Sequence, residues 1–245
     1  MMAMKSFALD LHTHSVASGH AYSTVAELAS AAQAAGLRAF ALTDHGPGLP
    51  HGPHLFHFTN LYRLKAFRGP CLILSGVEDD LSGPDGTVYL PDKALALLDV
   101  VLVGTHPYGW ASGRTGAEVT RSLVKAMENP LIKGVTHPVN SWFDLDVKEI
   151  VKAAKPTATA VELNLTKSTD LDSRIHQFLA WVEEFDAPLM INSDAHLADE
   201  LGRWDGIEPY LAMINPARIM NRSLAAAVEF FAIRRKDVLS AAETP

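Results

Sequence analysis

Short apolar runs alternate along the chain with longer stretches whose apolar positions recur at helical spacing. The runs predict seven strands, at residues 7–11, 39–43, 71–77, 100–104, 132–136, 160–164 and 188–192. They are apolar throughout rather than alternating, as expected of strands covered on both faces. Between them the spacing predicts helices. The one over 24–35 opens on Thr24-Val25-Ala26-Glu27, a capping box, and Gly36 stops it. The one over 116–128 carries Val119, Leu123 and Met127 on one face. Asp146 caps a helix over 146–154 with Val147, Ile150 and Val151. The last, over 172–185, carries Ile175, Leu179, Val182 and Phe185. Strands separated by helices imply an α/β fold with a mostly parallel sheet. Seven such units fit a closed or nearly closed barrel better than two small domains. No linker divides the chain, so residues 1–245 are expected to form a single domain. Residues 46–57 read as a loop, 83–86 as a turn, and the tail after Arg235 as frayed.

Composition narrows the classes. The 245 residues include 48% apolar and 20% charged, enough for a sizeable core. With 28 acidic against 21 basic side chains the net charge is −7, which argues against a nucleic-acid partner. One cysteine, Cys71, excludes a disulfide scaffold, and its strand-like setting reads as a buried small hydrophobe. No run reaches 18 apolar residues and residues 1–11 do not form a leader, so a cytoplasmic location without membrane contact is expected.

The eleven histidines change the picture most. Six of the seven predicted strands run directly into a metal-ligand type. The first leads into Asp10-Leu11-His12-Thr13-His14, the second into Thr43-Asp44-His45, and the third into Val77-Glu78. The fourth ends at Thr105-His106, the fifth at Thr136-His137, and the seventh at Asn192-Ser193-Asp194-Ala195-His196. His20 follows from the first loop. In a parallel β/α barrel these ends share one face, where active sites form. His12 and His14 are two apart in extended chain, so both reach one ion, and Asp194 and His196 repeat the arrangement. A mixture of imidazole and carboxylate suits zinc, manganese or iron rather than magnesium or calcium. Nine donors exceed one tetrahedral site, and about three ions with bridging carboxylates would use them all. Taken singly, each group has a plainer reading. A lone strand-end His bonds backbone, and a lone Asp194 caps a helix. Collection at one end of successive strands favours a multinuclear centre. His51, His54 and His57 are set aside as rim or solvated residues, and His176 as a helix surface residue.

These motifs, in this order and over nearly the whole chain, resemble the polymerase-and-histidinol-phosphatase (PHP) family of metallohydrolases. The likeness is greatest to its small stand-alone bacterial phosphatases of the YcdX type, through His20-Ala21-Tyr22-Ser23-Thr24 and Ala41-Leu42-Thr43-Asp44-His45-Gly46-Pro47. The resemblance implies a distorted (β/α)7 barrel with three divalent metal ions, zinc first and manganese or iron as alternatives, at the strand C-termini. It implies one ion on His12, His14, Glu78 and Asp194, and a second on Glu78, His106 and His137, with Glu78 bridging. A third would take His20, His45 and His196. The implied activity is hydrolysis of a phosphate ester, with a small phosphomonoester as substrate and a metal-activated hydroxide as nucleophile. A phosphodiesterase or an amidohydrolase-like enzyme is the rival class, and a non-catalytic metal-dependent binding protein a third. The chain departs from the family pattern after Glu78, where Asp79 and Asp80 stand in place of Ala-Asn, and in a longer, more charged segment at 165–172. Lys167 and Arg203 follow strand ends and are candidate phosphate-binding groups, with Arg114 and Arg174 behind them. Asp44 precedes a ligand and either orients an imidazole or protonates a leaving group, the first being preferred.

Overall fold

Seven parallel strands stand side by side in sequence order in the computed structural model, which describes residues 7–67, 69, 71–165 and 172–243. They are β1 (Leu9–Thr13), β2 (Ala39–Leu42), β3 (Leu72–Asp80), β4 (Val100–Gly104), β5 (Gly134–Val135), β6 (Ala160–Leu163) and β7 (Leu189–Ile191). Every neighbouring pair from β1–β2 to β6–β7 is parallel. The intervening helices are α1 (Val25–Ala34), α2 (Leu55–Asn60), α3 (Asp92–Leu95), α4 (Gly116–Ala126), α5 (Val147–Thr157) and α6 (Asp172–Glu184). After β7 come α7 (Glu208–Leu211), α8 (Leu224–Phe230) and α9 (Lys236–Ala242). This is the expected distorted (β/α)7 barrel.

Local chemistry sets the helix starts. Thr24 and Thr115 each accept a backbone N–H three residues on, while Glu27 and Glu118 reach back to the caps. Asp146 caps α5 through the Glu149 N–H.

Although the strands are apolar throughout, successive residues leave on opposite faces. In β2, Ala39 and Ala41 join the inner cluster while Phe40 and Leu42 join the outer one. Small residues inside and large ones outside suit a narrow barrel. The inner cluster also holds Leu9, Leu11, Leu74, Leu102 and Met190, and it is closed by Leu224, Ala227, Phe231, Ile233 and Val238. Residues of α8 and α9 and of the link between them thus form a floor under the barrel.

The ring closes differently between β7 and β1. Thr13 and Ala195 form an isolated bridge there. Side chains supply the rest. Asn221 Nδ2 donates to the carbonyls of Leu9 (3.0 Å) and Ile191 (2.6 Å), and its Oδ1 accepts from the Ile191 N–H. Asn192 Oδ1 accepts from the Leu11 N–H at 2.9 Å. One buried amide thereby satisfies groups that a strand ladder would otherwise pair.

Three expectations need correction. The chain after Arg235 forms α9 over Lys236–Ala242, and Arg235 itself is buried, donates to the Ile73 carbonyl at 2.6 Å and pairs with Asp99 at 3.0 Å. Its helix is too short to show a clear period in the sequence. The 46–57 segment is not all loop, because α2 begins at Leu55 with His54 as its cap. Third, β3 extends to Asp80, so Glu78 lies within the strand rather than beyond its end. Cys71 immediately precedes β3 and is buried, and burial pushes its thiol up to about 11. Among the described residues no helix is long and apolar enough to cross a membrane.

Candidate metal centre

Glu78 sits at the centre of the ligand-type residues. It is fully buried, and its Oε1 accepts from Thr136 Oγ1 at 2.6 Å. Around it stand His45 Nδ1 (2.9 Å), His137 Nε2 (3.1 Å), His12 Nε2 (3.3 Å), His14 Nε2 (3.5 Å) and His106 Nε2 (4.0 Å). Asp194 Oδ1 lies 3.1 Å from His14 Nε2 and 3.4 Å from His12 Nε2. On the outer side His196 Nε2 and His20 Nε2 are 3.0 Å apart, and the His20 and His45 rings stack at 4.9 Å. The structure therefore brings all nine predicted donors into one contiguous cluster. Four overlapping triads place their ligand atoms within 4.8 Å of one another: His14–His45–His196, His12–His137–Asp194, His12–His14–Glu78 and His45–Glu78–His106.

The backbone aims these groups. The β1–β2 register shifts between Asp10 and Thr13, beside His12, as an irregularity that re-aims side chains. Both His137 and Asp194 hold positive φ, 28° and 55°, at the turns leaving β5 and β7. Such strained residues persist where surrounding structure over-determines them. Gly104 ends β4, and a Cβ there would lie 2.9 Å from Glu78 Oε1 and 2.8 Å from His106 Cε1. The glycine leaves the space that the central carboxylate and His106 occupy.

The outer ring nitrogens identify the inward atoms. His12 Nδ1 faces Glu162 Oε1 at 2.9 Å and His106 Nδ1 faces Asp80 Oδ1 at 2.9 Å. His14 Nδ1 faces Ser18 Oγ, while His20 and His196 Nδ1 face the carbonyls of Ser18 and Asp194. In each case Nδ1 is engaged from outside, which leaves Nε2 as the nitrogen facing inward. Five buried atoms here have no hydrogen-bond partner: His12 Nε2, His14 Nε2, His45 Nδ1, Glu78 Oε2 and His137 Nε2. Buried polar atoms without partners are rare and costly, about 1–3 kcal/mol each. Five of them facing one another fit divalent transition-metal ions, which take imidazole nitrogen and carboxylate oxygen at about 2.0–2.2 Å.

The protonation pattern follows from crowding. Burial opposes protonation of His12, but Glu162, Glu78 and Asp194 outweigh it and hold its pKa well above the usual range. His106 is likewise raised to about 9 by Asp80 and Glu78 against burial. Burial and the neighbouring His45 push His14 well below the usual range. Glu78 is held well below the carboxylate range, since His12, His106 and His45 overcome its desolvation.

Three groups missed in the sequence support the ligands. Glu162 is a lone acid in an apolar strand, and that isolation was the available signal. Besides His12, it accepts from the His137 N–H and from Asn192 Nδ2, both at 2.8 Å. The sixth strand, which delivers no ligand, thus delivers the group that orients two of them. Asp80 takes both the N–H and Nδ1 of His106, while Asp79 turns away to the Leu90 and Asp80 N–H groups. Burial raises Asp79 to about 7. His57, set aside above, holds Asp44 at 3.1 Å.

Asp44 is completely engaged: Ser15, Ser18 and His57 all donate to it, and Ser18 in turn faces His14. Burial opposes its charge, but His57 and His14 keep it below the usual range. Both its oxygens are engaged, and through Ser18 it stands behind the His14 imidazole. Arg203 is exposed on a cavity of about 230 Å³ beside Asn192 and Glu200, and Glu200 accepts from the His196 N–H. Arg114 pairs with Glu118 and stacks on Trp110, and Arg174 lines a separate groove with Trp181. Lys167 lies outside the described residues. His176 is exposed on α6 against the Asp172 carbonyl, and His51 is exposed in the second loop.

Glu162→Gln is expected to weaken metal binding about 10–100-fold, measured by chelator competition. A carboxylate accepts from three N–H groups here, whereas the amide of a glutamine must turn its own N–H₂ toward one of them. Unchanged affinity would remove Glu162 from this role.

Comparison with known proteins agrees with the geometry. The sequence pattern of the PHP domain matches residues 10–129. A protein of Syntrophotalea carbinolica named a probable phosphatase is 38% identical over 231 residues, spanning 91% of this chain and 95% of its own length. Another of that name, from Acetivibrio thermocellus, is 34% identical over 235 residues, spanning 94% and 96%. Among solved structures, the histidinol phosphate phosphatase of Lactococcus lactis, complexed with zinc, L-histidinol and phosphate, aligns with TM-score 0.58 at 17% identity. It covers 92% of this chain and 93% of that one, and shares the fold. On full-length kinship of this degree, the chain belongs to the PHP domain family.

Proposed function

We propose that the chain hydrolyses a small phosphomonoester at a centre of three divalent transition-metal ions. The observation that carries this reading is the set of nine donors gathered about Glu78, with five buried donor atoms lacking any hydrogen-bond partner. His12, His14, Glu78 and Asp194 would hold one ion. Glu78, His106 and His137 would hold a second, and His20, His45 and His196 a third. Zinc is the first choice of metal, since the Lactococcus phosphatase was complexed with it. Such ions, when bound, lower the pKa of water and offset charge on phosphoryl oxygens. The chain's own contribution is to fix their holders: Glu162, Asp80 and the Asp44–Ser18 pair each orient an imidazole. Arg203, on the cavity beside Asn192 and Glu200, would meet a phosphate from the rim. The curated relatives named probable phosphatases support the reaction class.

A monoester dianion brings one more charge to a cationic centre than a diester monoanion does. The metal-loaded protein should therefore show higher kcat/KM on small monoesters than on diesters of the same leaving group. Elemental analysis should approach three equivalents of metal per chain. Better turnover of the diester across several matched pairs would make the enzyme a phosphodiesterase. A reproducible metal content near one equivalent would end the trinuclear reading.

A further inference from the structure

The loops around the centre have an unusual composition. Charged residues make up 20% of the chain, yet none occurs at 15–24, 45–62, 107–113 or 138–143, a total of 41 residues. These segments leave β1, β2, β4 and β5, so they rim the face that holds the ligand cluster on either side of the loop after β3. The loops after β3 and β7 are by contrast charged, with Asp85 in the first and Asp199, Glu200 and Arg203 in the second.

The uncharged loops carry exposed rings instead. Tyr22 is 74% exposed, Phe56 73%, Tyr108 47% and Trp142 74%. Tyr22 is two residues past His20, and Tyr108 two residues past His106. Trp142 is five past His137, with a 3₁₀ turn at Pro138–Asn140 between them. Two residues of chain span at most about 7 Å, which keeps Tyr22 and Tyr108 close to their ligands, and Trp142 follows Ser141, whose hydroxyl is 2.9 Å from that of Thr105, the residue before His106. The anchoring is firm at both ends. The Tyr22 N–H donates to the His196 carbonyl at 2.9 Å. Beyond Tyr108, the Trp110 N–H donates to the Tyr89 hydroxyl at 3.0 Å. A single exposed ring needs no role, but several on one rim make an apolar patch, and such patches mark binding sites. Rings stack on planar partners, and an uncharged rim offers no counter-ion to a charged one.

We propose that the adjacent loops after β4 and β5 select the alcohol portion of the substrate, and that they take an uncharged, planar ring. The selection rests on the phosphomonoester reading above, and it names the substrate class. The phosphoryl group lies over the metal ligands, and the ring of the leaving group lies against Tyr108 and Trp142.

Phosphonates test this without chemistry, because their P–C bond is not hydrolysed and leaving-group reactivity drops out. Dissociation constants for the holoprotein are measured by calorimetry with benzylphosphonate, methylphosphonate and 2-aminoethylphosphonate. Benzylphosphonate should bind about 10-fold or more tightly than methylphosphonate, and the aminoethyl compound no better than methyl. Trp142→Ala and Tyr108→Ala should each shrink the benzyl advantage to about 3-fold or less while leaving methylphosphonate affinity unchanged. Equal affinities of the benzyl and methyl compounds, with monoester hydrolysis intact, overturn the ring proposal alone. So does tightest binding of the aminoethyl compound. Failure of all three to bind, together with no monoester hydrolysis, overturns the phosphomonoester reading and this proposal with it. Sedimentation of wild type and Trp142→Ala completes the test. A wild-type oligomer that this variant dissociates assigns the rings to a second copy of the chain and overturns the proposal.

Discussion

Glu78→Gln is expected to remove metal from two of the three sites and to lower kcat about 10³-fold. The change keeps the side chain's volume, so the fold should stand. It replaces the one carboxylate that five imidazole nitrogens surround within 4.0 Å. Those imidazoles lose the negative charge that makes their close approach tolerable. Loss of a buried charge partner costs about 3–5 kcal/mol, which would appear as weaker metal binding. Elemental analysis and circular dichroism on the same sample separate metal loss from unfolding. Wild-type metal content and turnover in a folded variant would move the bridging role elsewhere, and Asp194, within 3.4 Å of both His12 and His14, would be the next choice.

Chelation should abolish hydrolysis and also destabilise the protein, with zinc or manganese restoring both. The partnerless atoms of His12, His14, His45, Glu78 and His137 are buried and face one another. Bound ions would satisfy them, so the folded state should bind metal far better than the unfolded chain. Loading at 100 times the dissociation constant of one site adds about 2.7 kcal/mol. For a chain of this size that is about 5–10 °C in Tm. Calorimetric scans before and after dialysis against a chelator measure it. An unchanged Tm after verified metal removal would mean that the cluster is satisfied without ions.

The sequence displayed the ligands unusually well because their positions are tied to the strand pattern. A ligand-type residue that ends an apolar run is visible as such, and six runs repeat the signal, five with histidine and one with Glu78. Glu162 was hidden because it lies inside a strand, where periodicity says only that the residue is buried. Its role depends on β6 lying between β5 and β7, which is a fact of pairing, not of spacing. His57 was hidden for a similar reason. Thirteen residues separate it from Asp44, and only the fold of the second loop brings them to 3.1 Å. The part of the floor after Arg235 reads as a frayed tail because α9 has seven residues, about two turns, too few for the apolar period to emerge. Arg203 and Lys167 were chosen by proximity to strand ends. The structure places Arg203 on a cavity next to the His196 turn, and residues around Lys167 fall outside the described segments.

The floor and the Asn221 seam also constrain how the chain is made. Asn221 joins Leu9 to Ile191 across 212 positions of sequence, and Arg235 reaches Ile73 across 162. During synthesis β1 therefore emerges first and waits for nearly the whole chain before its open edge is covered. Until residues 224–238 leave the ribosome, the apolar interior around Leu9, Leu74 and Leu102 has no floor. At about 5–20 residues per second, the growing chain carries an open strand edge and an unsealed core for about ten seconds or more. Unpaired edges of that kind invite pairing with other chains. Residues 221–238 are thus the ones that end the period of exposure, and closure of the ring is a late event rather than one of early folding.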